Sequence, residues 1–263
     1  VSQNSKFTVQ QNAAAVTPPT GFTSYLGVTT ATAVTVGASD YFGLYQPIEG
    51  YNIADLDFGK ATAKTVTLSF WVRSSLTGTF GGALQNGAFT RSYPFTYTIS
   101  TANTWEQKSV TIAGDTSGTW VSTTAAGLNV WFSLGTGSTY SGTANAWAGT
   151  FYGSATGATS VVGTLNATFY ITGVQLEQNT SATPFERRMY TTELQLCQRY
   201  CPMIGPVVAD SFSAVGYTLS TTQGRVVFQF PVTARTAPTG ITVTNPTGFA
   251  LAPPFARAAS AVA

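Results

Sequence analysis

Between positions 41 and 176 the sequence returns repeatedly to one pattern, an apolar side chain followed by a hydroxyl-bearing or amide one. A strand sends successive side chains to opposite faces, so this alternation is satisfied by a sheet with one dry face. In Thr65-Val66-Thr67-Leu68-Ser69-Phe70-Trp71-Val72-Arg73, residues Val66, Leu68, Phe70 and Val72 share one face. Thr65, Thr67, Ser69, Trp71 and Arg73 share the other. In Gly127-Leu128-Asn129-Val130-Trp131-Phe132-Ser133-Leu134, the apolar positions Leu128, Val130, Phe132 and Leu134 point inward, leaving Trp131 outward. Further strands are expected over 41–46, 94–99, 108–112, 168–176, 217–220, 225–231 and 241–244. No long amphipathic helical pattern separates them, which excludes a parallel α/β sheet. The pattern predicts an all-β fold, an antiparallel jelly-roll β-sandwich followed by a short helix and a smaller C-terminal β region.

Composition narrows the function classes. The 263 residues include 45 Thr, 22 Ser and 26 Gly but only 8% charged residues, against about 25% in an ordinary soluble domain. Solubility therefore comes from hydroxyls and backbone. A net charge of +2 supplies no field for nucleic acid. There is no run of about 20 apolar residues to insert in a membrane and no basic-then-apolar leader. Val1 in place of Met points to a processed or trimmed start. The absence of histidine removes Ser-His-Asp and Cys-His catalysis, histidine metal sites and the usual physiological pH switch. Cys197 and Cys201 lie four apart, a spacing that closes no useful loop, and are expected as free, mostly buried thiols.

Three segments organise the chain: a sandwich over 1–186, a helical connector over 187–204, and a small β region with an extended tail over 205–263. The helix is expected to be capped by Thr191-Thr192, to carry Glu193 in its first turn and to stop at Pro202. From Ser109 to Leu176 the only charged residue is Asp115. The Gly-, Ser-, Thr- and aromatic-rich stretch 138–153 within it is expected to be a packed lid or a contact surface.

Six stretches together resemble a recurring family of bacteriophage virion structural proteins, tail-fibre-like and with a carbohydrate-binding-module-like jelly roll. They are the segments 48–56, 64–75, 91–95, 104–106 and 113–120, and above all Ile171-Thr172-Gly173-Val174-Gln175-Leu176-Glu177. That last stretch runs on to Ala182-Thr183-Pro184-Phe185-Glu186-Arg187-Arg188 and Glu193-Leu194-Gln195-Leu196-Cys197-Gln198-Arg199-Tyr200. Cys201 stands where the family tends to carry another aromatic. The resemblance covers about residues 40–200. It implies a non-enzymatic virion component, a tail fibre, spike or surface appendage, with no catalytic residues or cofactor to transfer. A head-decoration or adaptor protein that braces virion subunits is the alternative. Other phage structural proteins and sister chains, a trimer being favoured, are the expected partners.

Candidate chemistry is sparse. Outward-facing Trp71 and Trp131, with Tyr170 and Trp147, could form an aromatic platform for a sugar ring, Arg73 and nearby hydroxyls binding its polar groups. Alternatively the long loop or a neighbouring subunit covers these rings. Glu49, Asp55 and Asp57 are the best acidic cluster, read as solvated turn carboxylates or partners of Lys60 and Lys64 rather than as a Ca²⁺ site. No opposed carboxylate pair is singled out, so glycosidase chemistry is not expected. Glu186, Arg187, Arg188 and Glu193 form the densest charge cluster and are expected to pair across the junction of the two β regions or a subunit seam.

Overall fold

The computed structural model describes residues 6–201, 215–218, 224–227 and 230–237. Its first unit, residues 1–187, is built from two antiparallel sheets. Sheet I contains β1 (Phe7–Gln11), β2 (Leu26–Thr30), β11 (Thr168–Glu177), β4 (Val66–Ser74) and β7 (Glu106–Ile112), in that spatial order. Sheet II runs β3 (Tyr41–Glu49), β8 (Ala126–Thr136), β5 (Gly78–Asn86), β6 (Ser92–Ile99). From β3 to β11 the chain passes repeatedly between the sheets, the crossing pattern of a jelly roll. Two very short strands, β9 (Ser141–Gly142) and β10 (Ser154–Ala155), pair in parallel within the long loop.

Period-2 burial closes the interior. Val66, Leu68, Phe70 and Val72 of β4 meet Leu128, Val130, Phe132 and Leu134 of β8 in one hydrophobic core, with Phe80, Leu84, Phe95, Ile99 and Phe169. Phe70 contacts Phe132 edge-on at 5.0 Å, so the two strands read from the sequence pack against each other from opposite sheets. Ser69, Trp71 and Arg73 consequently lie on the outer face of sheet I, and Trp131 on the outer face of sheet II.

One irregularity in β11 shapes sheet I. Thr172 pairs with Trp71 and Gln175 with Ser69, so three steps along β11 match two along β4. The extra residue is a bulge at Gly173 (φ +59°), where an added Cβ would lie 2.5 Å from the Phe22 ring. The bulge keeps Thr172, Gln175 and Glu177 on the outer face while Leu176 packs against the core.

In the second unit, residues 188–263, α1 (Tyr190–Tyr200) is an 11-residue helix, and β12 (Val215–Thr218) pairs antiparallel with β13 (Gly224–Val227). The helix begins earlier than expected. Met189 is its N-cap, its carbonyl accepting from the Thr192 and Glu193 amides, so Thr191 and Thr192 sit inside the first turn. Both thiols are exposed, correcting the expectation that they are buried: no residue of α1 is buried, so its apolar side chains shield neither sulfur. The expected strand at 241–244 and the C-terminal tail lie outside the described residues.

Candidate functional site

The five expected sugar contacts do not form one platform, because β4 and β8 belong to different sheets. Trp131 is 6% exposed. Tyr45, its cross-strand neighbour on β3, stacks on it at 5.3 Å and 16°, and Tyr41 and Phe151 close around it. Gly43 makes room for the indole, since a Cβ there would collide with it. The alternation placed Trp131 outside the core correctly, but the aromatic shell removes it from reach.

Part of that cover, Phe151 and Gly153, comes from the 138–153 loop, which is therefore a lid. The Gln85 side-chain amide donates to the Tyr152 carbonyl at 2.7 Å, and the Tyr152 amide donates to Ser92 Oγ at 3.0 Å. Ser92 and Ala148 exchange backbone hydrogen bonds, and the Asn145 amide donates to the Pro94 carbonyl. Trp147, in the same loop, packs instead against the hydrophobic core. It meets Phe58, Tyr93 and Trp120, and its indole N–H donates to the Ala113 carbonyl at 2.7 Å.

Trp71 and Arg73 remain together on the outer face of sheet I. Tyr170, opposite Arg73 across the ladder, is 2% exposed and packs against Tyr25 at 5.1 Å. It is a floor for the Arg73 guanidinium, whose carbon lies 5.4 Å from the ring centroid, rather than an open stacking surface. Arg73 Nε donates to the Asn103 carbonyl at 2.9 Å. Of the five tryptophans, Trp71 alone has neither a ring contact nor a hydrogen bond among the described residues. Trp105 meets Tyr25 and donates to the Thr17 carbonyl, and Trp120 meets Phe58 and donates to the Ser117 carbonyl. Half-buried Trp71 is flanked across the ladders by Thr172 and exposed Gln107, and along β4 by Ser69. Thr172 also lines an open depression of about 310 Å³ with Gln11, Ser24, Tyr25, Leu26 and Ile171.

Gln107 and Thr172 escape a reading of single strands, because ladder partners come from distant segments. The expected strand at 108–112 begins one residue past Gln107, whereas β7 begins at Glu106.

The expected charge cluster also divides. The Glu186 amide donates to Gln175 Oε1 at 2.7 Å, while the Arg187 guanidinium lies over Phe22 and Phe185 and donates to the Gly21 carbonyl. Arg188 pairs with Glu193 at 3.4 Å, both about half exposed. Glu177 accepts from the Thr183 amide and hydroxyl, and Thr67 and Thr111 donate to the Asn179 and Thr180 carbonyls. The most specific sequence stretch thus forms a clasp that returns residues 178–187 over one end of sheet I.

Of the acidic turn, Asp57 is engaged by Lys60 at 2.6 Å and by Thr62, interactions that hold its carboxyl below the ordinary range. Among the described residues no three metal-ligating side chains cluster. No described helix is long and apolar enough to cross a membrane.

No family model and no curated protein matches the chain. Among solved structures, it is similar to one described as "CBM4 structure and function", with 14% identity over 59% of this chain and 71% of that one, TM-score 0.33. It is similar to the enzymatically active domain of bacteriophage CBA120 tailspike protein 4, with 11% identity over 65% of this chain and 19% of that one, TM-score 0.31. It is also similar to the N-terminal cellulose-binding domain from Cellulomonas fimi β-1,4-glucanase C, with 18% identity over 60% of this chain and 80% of that one, TM-score 0.28.

Proposed function

We propose that the chain is a non-catalytic, glycan-binding component of a bacteriophage virion, carried as a tail fibre, spike or surface appendage and adhering to host-surface saccharide. The observation that carries the glycan reading is Trp71, the one indole with neither a ring contact nor a hydrogen bond among the described residues, half-buried on an outer sheet face beside hydroxyl and amide side chains. An indole face covers the C–H face of a pyranose, and exposed Gln107 beside it supplies a side-chain amide, while the Thr172 hydroxyl, which donates to the Ser24 carbonyl, keeps acceptor capacity. The virion assignment is supported by the sequence resemblance alone.

A non-catalytic role is supported by the engagement of five of the ten acids. Asp57, Glu106, Asp115 and Glu193 are each ion-paired, and Glu177 is held in the clasp. A single shallow site of this kind binds in the millimolar to micromolar range, so adhesion requires many copies. The exposed apolar side chains Met189, Tyr190, Leu194, Leu196 and Tyr200 on and beside α1 support contact with sister chains, a homotrimer being favoured. The same side chains favour a second reading, a decoration or adaptor protein bracing neighbouring virion subunits.

The test is a glycan array with the full chain beside Trp71→Ala. The expected result is saccharide binding that drops roughly tenfold or more in the variant, the loss of about 1.4 kcal/mol of stacking. Binding that is absent, or unchanged in the variant, overturns the glycan reading. Incubation with host polysaccharide is expected to release no reducing sugar. Electron microscopy of the particle separates the two roles: a peripheral, distal position for the adhesin, a position across subunit seams for the brace.

A further inference from the structure

We propose that the saccharide read by this face is acidic, a hexuronate-type sugar whose carboxylate is taken by Arg73 while Trp71 stacks on the ring. This rests on the glycan-binding reading above and names its ligand class. Arg73 stands two residues from Trp71 on the same outer face of β4, about 6.8 Å along the strand, roughly the reach from a stacked pyranose to a ring substituent. The guanidinium is held in place, with Nε on the Asn103 carbonyl at 2.9 Å and the carbon 5.4 Å from the Tyr170 ring centroid. Tyr170 is itself wedged against Tyr25, and Tyr25 against Trp105 at 5.4 Å.

What that anchored group lacks is an anion. Lys60, Arg91, Lys108 and Arg188 are paired with carboxylates at 2.6–3.4 Å. Arg73 has no carboxylate partner among the described residues, and only its Nε is spent. The acids of the neighbouring strands are committed elsewhere: Glu106 to Lys108 and the Ser100 and Thr101 amides, Glu177 to Thr183 and Gln175. The two terminal nitrogens therefore remain for a ligand. Guanidinium matches carboxylate with parallel, charge-assisted hydrogen bonds, and its pre-set orientation lowers the entropy lost on binding. A neutral sugar would draw less from the same group.

The test is isothermal titration calorimetry of the full chain with tetramers of galacturonate, mannuronate and hyaluronan, each beside its carboxyl-reduced neutral form. At least one acidic oligomer is expected to bind ten times or more tighter than its neutral counterpart, an advantage that shrinks with added salt. Arg73→Gln is expected to abolish that advantage. Arg73→Lys, which keeps the charge without the fork, keeps part of it and carries the test should the glutamine variant fail to fold. Trp71→Ala weakens both forms. Acidic and reduced oligomers that bind alike, or an advantage untouched in both Arg73 variants, overturn the acidic assignment and leave the glycan reading standing. No binding of any probe in either form defeats the glycan reading and this inference together.

Discussion

Trp71 and Trp131 occupy matching alternate positions in two strands, yet they have different physical fates. Trp131 is enclosed by Tyr41, Tyr45 and Phe151, so truncation removes a large packed ring. Trp131→Ala is expected to destabilise the protein by about 3–5 kcal/mol, read as a shift of the urea midpoint. Trp71→Ala, which loses no ring contact or hydrogen bond, is expected to change stability by less than about 1 kcal/mol while impairing saccharide binding. A second residue-scale feature is the Arg91–Asp115 pair, joined by two hydrogen bonds of 2.7 Å, with Asp115 1% exposed and its Oδ1 also accepting from the Ser117 amide. The carboxylate raises the Arg91 pKa further, through its hydrogen bonds first. Asp115→Asn leaves a partly buried guanidinium without its counter-ion and is expected to cost about 3 kcal/mol. Replacing both partners by apolar residues should recover part of that loss, which a double-mutant cycle measures.

At the scale of elements, the clasp explains why the stretch around 171–188 is so distinctive. Its residues are chosen by one another: Gly173 turns β11 outward, Glu177 receives the Thr183 amide, and Gln175 receives that of Glu186. The Glu177 pKa is held below its ordinary value of 4.5, first by the Thr183 amide. For Glu106, burial pushes upward, but Lys108 and the Thr101 and Ser100 amides outweigh it, and the net direction is again down. Depressed carboxyl groups stabilise the fold above their unfolded pKa and lose that contribution as pH falls through the folded value. With no histidine to titrate, the melting temperature is expected to be flat between about pH 6 and 8 and to fall below about pH 4.5. The protection factor of the Thr183 amide, its exchange rate taken relative to the intrinsic rate at each pH, should fall over the same acid range, and Glu177→Gln should remove that local acid dependence. Cys197 in α1 and Cys201 at its C-cap are both exposed, so both should react with a thiol reagent in native buffer. Reaction only after denaturation would contradict the placement of the helix.

At the scale of the whole molecule, the alternating pattern made the β class and the inward faces of β4 and β8 legible without coordinates, but not that these two strands lie in opposite sheets. Val66, Leu68, Phe70 and Val72, and Leu128, Val130, Phe132 and Leu134, all point where period 2 sends them, because side-chain direction in a strand is a local property of the backbone. The short helix between β regions was legible too, although its first turn was not, since Met189 caps through its carbonyl and offers no side-chain signal. What pairs with each strand was not. Which sheet a strand joins depends on segments a hundred residues away, as Trp71 lies beside Gln107 and Thr172. The fate of each outward ring was likewise set by tertiary packing: β3 and the lid together enclose Trp131, Tyr25 covers Tyr170, and Trp71 stays half-buried with no ring against it. Sequence alone therefore determined the residues that turn away from the core, through the geometry of one strand. Tertiary structure alone decided which of them still meet solvent, because cover comes from parts of the chain that only folding brings near.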